Sequence, residues 1–284
     1  MTGKRAAVLA IGALFLCACA GTGPPSVGNP TRVPVPQAAI VVALAQYPTS
    51  LDPADHRSRT SETVIRNLFD GLVTRDAHNE VQLELAQEIT WLDERTLHVK
   101  LREGVLFHDG VEMTAADVVY SFQRILDENA IEYPEPHSSP RKSLLAPLES
   151  EEQIDDDTVL LHLNGPWPSA LQMLVHQQIV PQHYIESMGT AAFIEHPIGT
   201  GPFQFVSADP RLETIVLERF DDYYGGAPDL LPVGPACVER VTFRVIPDAA
   251  VRAAALAIGE VDIIQNVAQS SVEAMERNPG VQLK

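Results

Sequence analysis

Short strand signals alternate with amphipathic helix signals from residue 38 onward, and this alternation restricts the fold more than any other feature of the sequence. The continuous apolar run at residues 39–45 and the alternating apolar residues at 96–101 predict strands. Residues 114–117 form a Thr-Ala-Ala-Asp capping box, and the apolar stripe at 118–126 predicts the helix that it begins. The alternation favours a mixed α/β fold over a helical bundle or a β-sandwich.

A second amphipathic helix is predicted shortly after residue 59. Its apolar face is formed by Val64, Ile65, Leu68 and Phe69. Thr60 or Ser61 is expected to cap its beginning, and Gly71 suits the position just past its end. The acidic stretch at 149–157 lacks the alternating carboxylates and central glycine of a calcium loop, so it is interpreted as a solvated connection.

The remaining predicted elements lie in the second half of the chain. They are strands at 159–163, 214–218, 241–246 and 261–264, and helices at 169–176 and 249–258. The last strand, helix and strand follow one another closely, which indicates a βαβ unit with parallel strands.

The first residues predict export rather than a folded element. Lys4 and Arg5 precede a 13-residue apolar run, which is too short for a bilayer span of about 20 residues but typical of a signal peptide. The run ends in Leu-Cys-Ala-Cys, which resembles the lipobox of bacterial lipoproteins and implies a signal peptide at 1–18 with a lipid on Cys19. An ordinary secretory signal cut near Ala18 or Ala20 is the alternative. The Pro/Gly-rich stretch at 19–37 is interpreted as a tether.

Charge and cysteine content exclude several classes of protein. The chain has 38 acidic and 20 basic residues, a net charge of -18, so it has no basic excess with which to bind nucleic acid. Strong electrostatic adhesion to anionic lipid is not expected either. Once Cys17 leaves with the signal and Cys19 carries lipid, Cys237 is the remaining thiol, so no intrachain disulfide is predicted. Cys237 is expected to be a buried apolar residue.

No arrangement of residues in the sequence predicts catalysis, a metal or a cofactor. The sequence contains no nucleophile elbow, zinc-binding helix, phosphate loop or dinucleotide fingerprint. Gly199-Thr200-Gly201 lacks a third glycine and precedes a proline instead of a helix. His176 and His183 are separated by a proline and are not expected to share a helical face. His108 and Asp109 are adjacent, and adjacent side chains in a turn rarely point at one atom.

Several strings nevertheless occur in the order of a known family. The longest covers residues 86–110 and ends in Arg-Glu-Gly-Val-Leu-Phe-His-Asp-Gly. Others are Leu-Asp-Pro at 51–53, Leu-Phe-Asp-Gly-Leu at 68–72, the segment 114–122, Pro-Ile-Gly-Thr-Gly-Pro-Phe at 197–203, the Tyr-Tyr-Gly-Gly at 223–226 and the segment 244–262. Together, over residues 39 to about 264, they resemble the family 5 solute-binding proteins, the peptide and nickel type that serves ABC importers.

The resemblance implies a periplasmic-binding-protein-like fold of type II with two lobes on a hinge, which closes over a solute and delivers it to a permease without changing it. Family members are usually about twice as long, so the second lobe is expected to be missing here. Residues 38–54 and 167–284 are predicted to form the main domain of the first lobe, and residues 55–166 a smaller inserted α/β subdomain. A truncated product, or a fragment of a longer gene, is the hypothesis for this length.

Four residues are carried over from the family as candidate ligand contacts. Tyr47 and Thr49 lie in the segment before Leu-Asp-Pro that resembles a wall of the cleft. Asp70 and Gly71 resemble another wall, where a glycine lets the backbone approach a ligand. Two structural alternatives stay open, since Tyr47 can pack against nearby prolines and Gly71 can end a helix. The segments 109–110 and 199–201 are interpreted as turns that build the lobe.

The expected partners are a small peptide, the permease subunits of an ABC importer and, through Cys19, a membrane. A monomer outside the inner membrane, in the periplasm or at the cell surface, is predicted, and peptide is favoured over nickel complexes, sugars or other solutes. An envelope hydrolase would need a nucleophile beside a base, and the sequence has no such spacing. The main alternative is a lipid-anchored scaffold or adhesion protein that uses the open face of a single lobe.

Overall fold

The computed structural model describes residues 39–227 and 234–283. The predicted signal peptide, the lipid site at Cys19 and the predicted tether lie outside the described residues. Within 39–227 and 234–283, no helix is both long and apolar enough to cross a membrane.

The described strands form three sheets. The strands are β1 (Ala39–Leu44), β2 (Val73–Arg75), β3 (Val81–Leu83), β4 (Ala86–Asp93), β5 (Thr96–Leu101), β6 (Leu148–Asp155), β7 (Thr158–Leu163), β8 (Phe203–Asp209), β9 (Thr214–Arg219), β10 (Arg240–Val245) and β11 (Ile263–Ile264). A five-stranded sheet has the order β11-β1-β10-β9-β8, a four-stranded sheet the order β4-β5-β7-β6, and β2 pairs with β3. Both β10 and β11 run parallel to β1, whereas the other pairs in the two large sheets are antiparallel.

Helices connect and cover these sheets. They are α1 (Arg59–Leu68), α2 (Ala115–Leu126), a 3₁₀ turn (Lys142–Leu145), α3 (Ala170–Leu174), α4 (Gln182–Glu195, interrupted at Gly189), α5 (Ala249–Ala257) and α6 (Gln269–Glu276). The predicted βαβ unit is confirmed as β10, α5 and β11, and β1 lies between its two strands.

The five-stranded sheet has its own apolar cluster. Strand β1 is apolar along its whole length, and its second half, Val42 to Leu44, is fully buried between the parallel strands β10 and β11. The apolar face of α1, with Val64, Ile65 and Leu68, packs into this cluster beside Phe203 and Phe243. Helix α1 therefore packs against the five-stranded sheet, although its residues fall inside the predicted 55–166 subdomain.

The four-stranded sheet packs its alternating apolar residues against α2. Leu97, Val99, Val159 and Leu161 share a cluster with Phe122 of α2. Residues 167–179 also pack into this cluster, although they fall inside the predicted main domain. The division of the chain into two domains stays a prediction. Helix α1 and residues 167–179 each pack against the cluster of the other predicted domain, so packing crosses both predicted boundaries.

Two local predictions are wrong and one is confirmed. The cap of α1 is Ser58, whose hydroxyl accepts from the Ser61 N–H, and neither Thr60 nor Ser61 is the cap. The acidic stretch at 149–157 is not a connection but is largely strand β6, at the edge of the four-stranded sheet. Most side chains of β6 are exposed, so its sequence lacks the alternation of apolar residues that predicts a strand. The predicted capping box at Thr114 and Asp117 is present, with both of its bonds formed.

Candidate functional site

Several connecting segments meet at one edge of the five-stranded sheet, because the parallel strands β1, β10 and β11 all end there. The segment after β1, residues 45–58, is called the β1 loop below. The Ile246 N–H donates to the Leu44 carbonyl at 2.9 Å, and the Val245 N–H donates to the carbonyl of Glu213 in the β8–β9 hairpin at 2.9 Å. In open α/β sheets, ligands bind outside the carboxyl ends of parallel strands. This edge is therefore the candidate site.

Tyr47 and Thr49 lie on the β1 loop at this edge. The Thr49 side chain is exposed, and its N–H donates to the Ser61 hydroxyl of α1 at 3.1 Å. Tyr47 is half-buried against the apolar cluster of the sheet. Burial raises the pKa of the Tyr47 phenol, and the nearby charge of Asp209 raises this pKa further. The loop thus presents one polar and one aromatic side chain close to the β8–β9 hairpin.

The β8–β9 hairpin was not singled out by the sequence analysis. An open groove of about 620 Å³ is lined by residues 207–212 and 214 of this hairpin. The Asp209 carboxylate accepts from the N–H groups of Arg211 and Leu212 at 2.8 and 3.1 Å, which closes the turn. The Asp-Pro-Arg string at 209–211 is a turn signal that could have predicted the hairpin. Its position beside Tyr47 depends on sheet order, which the local sequence does not carry.

Asp70 and Gly71 lie beyond the other end of α1, a helix that is about 15 Å long. Asp70 is only 3% exposed, its carbonyl accepts from the Ile179 N–H at 2.9 Å, and its carboxylate lies 3.5 Å from the Thr200 hydroxyl. A Cβ on Gly71 would lie 2.6 Å from the Gln177 carbonyl oxygen. The close approach at Gly71 is therefore made by the protein's own backbone, and α1 has already ended at Leu68.

The buried Asp70 lies near the half-buried Glu84. The Glu84 carboxylate accepts from the Gly71 N–H at 2.9 Å. Burial raises the pKa of Glu84 to about 7, although the Gly71 bond opposes this shift. Burial also raises the pKa of Asp70 well above its usual range, and the Glu84 charge raises it further. The hydroxyls of Tyr224, Thr200 and Tyr223 oppose the shift of the Asp70 pKa.

The structure thus separates the four predicted ligand residues into two places. Tyr47 and Thr49 are together at the candidate edge, whereas Asp70 and Gly71 are buried past the end of α1. The ligand role of all four residues stays a prediction. Glu84 and the Tyr223-Tyr224 pair complete the second group, and the sequence analysis did not connect them to Asp70 because they are 14 and more residues away.

The histidines considered in the sequence analysis have separate partners. The His108 ring accepts from the Gly199 N–H at 3.2 Å through Nδ1 and donates from Nε2 to the Gly201 carbonyl at 3.0 Å. Burial lowers the pKa of His108 to about 4, which agrees with this neutral form. Asp109 instead contacts His183 at 2.7 Å, so the expectation that His108 and Asp109 do not point at one atom is confirmed.

The remaining residues considered for metal binding or nucleophilic chemistry are Cys237, His176 and His183. Among the described residues, no group of three or more His, Cys, Asp or Glu side chains could hold a metal ion. Cys237 is half-buried, so the expectation that it is a buried apolar residue is wrong. His176 lies 3.9 Å from Glu62, and His183 belongs to α4, so the two histidines occupy different segments, as expected.

Comparisons with known proteins place this architecture in one class. The model of the family described as bacterial extracellular solute-binding proteins, family 5, matches residues 80–284. The glutathione-binding protein GsiB of Shigella boydii is 29% identical over 248 residues, which cover 86% of this chain and 45% of GsiB. The oligopeptide-binding protein AppA of Bacillus subtilis is 30% identical over 283 residues, which cover 95% of this chain and 48% of AppA.

Solved structures give the same result. AppA from Bacillus subtilis in complex with a nonapeptide aligns with a TM-score of 0.72 at 30% identity, covering 86% of this chain and 47% of AppA. The periplasmic binding protein DppA of Helicobacter pylori, in complex with the peptide STSA, aligns with a TM-score of 0.76 at 28% identity, covering 85% of this chain and 49% of DppA. The predicted fold, a first lobe of mixed sheets with flanking helices, is confirmed.

The chain belongs to family 5 of the bacterial extracellular solute-binding proteins, as the resemblance predicted. This is a family of binding proteins rather than of enzymes, in agreement with the missing catalytic motifs. The chain spans about half the length of the curated relatives it matches.

Proposed function

We propose that the chain is the first-lobe part of a peptide-binding protein that serves an ABC importer, and that its ligand lies at the carboxyl edge of the five-stranded sheet. The observation that carries this proposal is the similarity to AppA and DppA, both of which were solved with peptides. GsiB, a glutathione-binding protein, adds a third relative with a peptide-like ligand. The exposed Thr49 and half-buried Tyr47 at this edge support the location.

The proposed binding mode uses the β1 loop as a partner for an extended peptide. Peptides that pair through their main chain are held largely independently of their sequence. Side chains of the peptide would then occupy hydrated space near the hairpin groove, where water molecules complete the hydrogen bonds. Neither step needs a cofactor or changes the peptide covalently. In a two-lobed relative, the opposite wall of the cleft would come from the half of the protein that lies outside this match.

The proposed location follows from the sequence at the N-terminus. Export by the signal at 1–18 and lipid attachment at Cys19 would hold a monomer at the outer side of the inner membrane or at the cell surface, near the permease. The tether at 19–37 would leave the folded body free to meet its permease.

Isothermal titration calorimetry of the purified chain with trialanine, glutathione and a nonapeptide tests the function. Saturable heat with a peptide, and none with free alanine or a monosaccharide, is the expected result. Binding of the monosaccharide instead would replace peptide with another solute class. Binding of none of these solutes, either by the folded chain or by the same chain extended along any downstream reading frame, would contradict the proposal and favour the scaffold or adhesion alternative.

A further inference from the structure

Two buried arginines contact residues 52–56 of the β1 loop. Arg124 lies on α2, and Arg141 lies just before the 3₁₀ turn, so both come from segments that pack against the four-stranded sheet. The side chains of both arginines are less than 5% exposed. The β1 loop follows a strand of the other large sheet, so these contacts join the two sheets through polar groups.

Arg124 binds the buried carboxylate of Asp52 in the β1 loop. Its two terminal nitrogens donate to the two oxygens of Asp52 at 3.0 and 2.7 Å, in a paired arrangement in which Asp52 is fully buried. The same Asp52 carboxylate accepts from the Ala54 N–H at 2.9 Å, which fixes the turn that follows. The guanidinium also lies 5.7 Å from the centre of the Phe193 ring.

Arg141 contacts the following part of the loop through one backbone carbonyl and one side chain. It donates to the Pro53 carbonyl at 2.9 Å and to Nε2 of His56 at 2.8 Å. Ser139, two residues earlier, donates its hydroxyl proton to the Ala54 carbonyl at 2.5 Å. Because His56 accepts through Nε2, its remaining proton is on Nδ1, and burial keeps this ring neutral by lowering its pKa to about 4. Arg124, Arg141 and Ser139 therefore bind three consecutive loop residues, 52–54.

The proposed ligand contacts precede this buried part of the loop. Thr49 is exposed and Tyr47 is half-exposed, whereas the residues bound by the arginines are buried. Buried ion pairs contribute little net stability compared with apolar residues of the same size, but in several proteins they select one geometry. A loop that has to present the same backbone to many peptides needs a fixed geometry.

We propose that Arg124 and Arg141 are positioning residues, which hold the β1 loop in the conformation that presents Tyr47 and Thr49 to the solute. This inference rests on the proposed function. In this inference, segments that pack against the four-stranded sheet fix the conformation of a loop that follows a strand of the five-stranded sheet. Neither arginine touches the ligand itself.

Hydrogen–deuterium exchange on the full chain tests this role without a ligand. The variants are Arg124→Met, Arg124→Lys and the double variant Asp52→Leu/Arg124→Met, in which the charge leaves together with its partner. We expect exchange in residues 46–58 to rise by about tenfold or more in Arg124→Met and in the double variant, and by less in Arg124→Lys. Exchange in β5 and β7 of the double variant should match the wild-type chain, because no unpaired charge remains buried.

Arg252→Met is the matched control. Arg252 is likewise 3% exposed, and it donates to the Ile246 and Pro247 carbonyls at 2.7 and 2.8 Å, away from residues 52–54. This variant should raise exchange near 246–247 and leave residues 46–58 within about twofold of the wild-type rate.

Two results would overturn the inference. The first is that residues 46–58 exchange at a rate within about twofold of the wild-type rate in a folded Arg124→Met or double variant. The other is a rise spread evenly over the chain, which would indicate a purely global effect. Calorimetry with trialanine separates this inference from the proposed function. If the wild-type chain binds no peptide, the function fails while the exchange pattern still decides the positioning role. If it binds, Arg124→Lys should weaken the affinity by about tenfold.

Discussion

Gly199 lies directly against the carbonyl group of Leu68, the last residue of α1. A Cβ at Gly199 would be 2.1 Å from the Leu68 oxygen and 2.6 Å from Cδ1 of Phe69. Two residues later, the Gly201 N–H donates to the same Leu68 oxygen at 2.9 Å. The Gly-Thr-Gly string therefore closes the end of α1 by close packing, which explains its two glycines without a ligand.

Gly199→Ala should lower the free energy of unfolding by about 2–3 kcal/mol, because the new methyl group has to displace backbone atoms of α1. Urea denaturation followed by circular dichroism measures this change. Gly165→Ala is the control, since nothing lies within 4 Å of a Cβ at that position. Equal stability of the two variants would contradict the close packing of Gly199 against α1.

Glu84→Gln should flatten the pH dependence of stability near neutrality. Glu84 has a folded pKa of about 7 against an ordinary value of 4.5, so the folded chain binds more protons than the unfolded chain between these values. Stability therefore falls as the pH rises from about 4.5 to about 7, and the glutamine removes this loss because it stays neutral. Thermal unfolding at several pH values measures the slope. The exposed Glu94, substituted by Gln, should leave the slope unchanged.

Glu62→Gln should change the pH dependence in the opposite direction. Burial raises the pKa of Glu62, but contacts with His176, Arg66 and Arg141 outweigh this effect and lower the pKa to about 2. The unfolded chain therefore binds more protons, and this stabilisation, on the order of 2 kcal/mol, is present above pH 4.5 and is lost as the pH falls towards 2. The variant should be less stable at pH 6 and approach wild type in acid. A constant difference across this range would contradict the prediction.

Tyr47→Leu should weaken binding of trialanine by about tenfold, because the aromatic surface and hydroxyl at the candidate edge are lost. Calorimetry measures the affinity, and thermal unfolding checks that the fold is kept. Trp91→Leu is a suitable control, since Trp91 is 42% exposed and lies on β4 of the four-stranded sheet. Equal affinities of the two variants would place the ligand away from Tyr47.

Cys19→Ser should abolish incorporation of radiolabelled palmitate in a bacterial host that processes lipoproteins, because the Cys19 thiol is the group that would carry the lipid through a thioether. Export should persist, since the predicted signal peptide at 1–18 is unchanged. Labelling of the variant at the wild-type level would contradict the lipobox interpretation. Cys237→Ser, which leaves the N-terminus unchanged, is the control and should keep the label.

The sequence predicted those elements whose stability is mostly local. Helix α2 has a complete capping box, and β5 and β7 alternate regularly because one of their faces is buried. The cap of α1 was misplaced by two residues or more because Ser58, Thr60 and Ser61 can all accept a backbone N–H, and only the chain direction before the helix selects Ser58.

The candidate site was less predictable because it is built from distant segments. The family resemblance directed attention to Tyr47 and Thr49, but the position of Tyr47 near Asp209 follows from the order of strands in the sheet. The burial of Asp70 depends on Thr200 and on the Tyr223-Tyr224 pair, more than 100 residues away. No local pattern around Asp70 distinguishes a wall of a cleft from such a buried contact.

Strand β6 has a further consequence for how copies of this chain meet one another. It lies at the edge of the four-stranded sheet, and Glu149, Glu152 and Asp155 project from it into solvent. A β6 strand from a second copy, pairing edge to edge, would bring these carboxylates opposite one another, and the repulsion would oppose growth of a continuous intermolecular sheet. The charge of the acidic stretch therefore disfavours edge-to-edge pairing of β6 with a second copy.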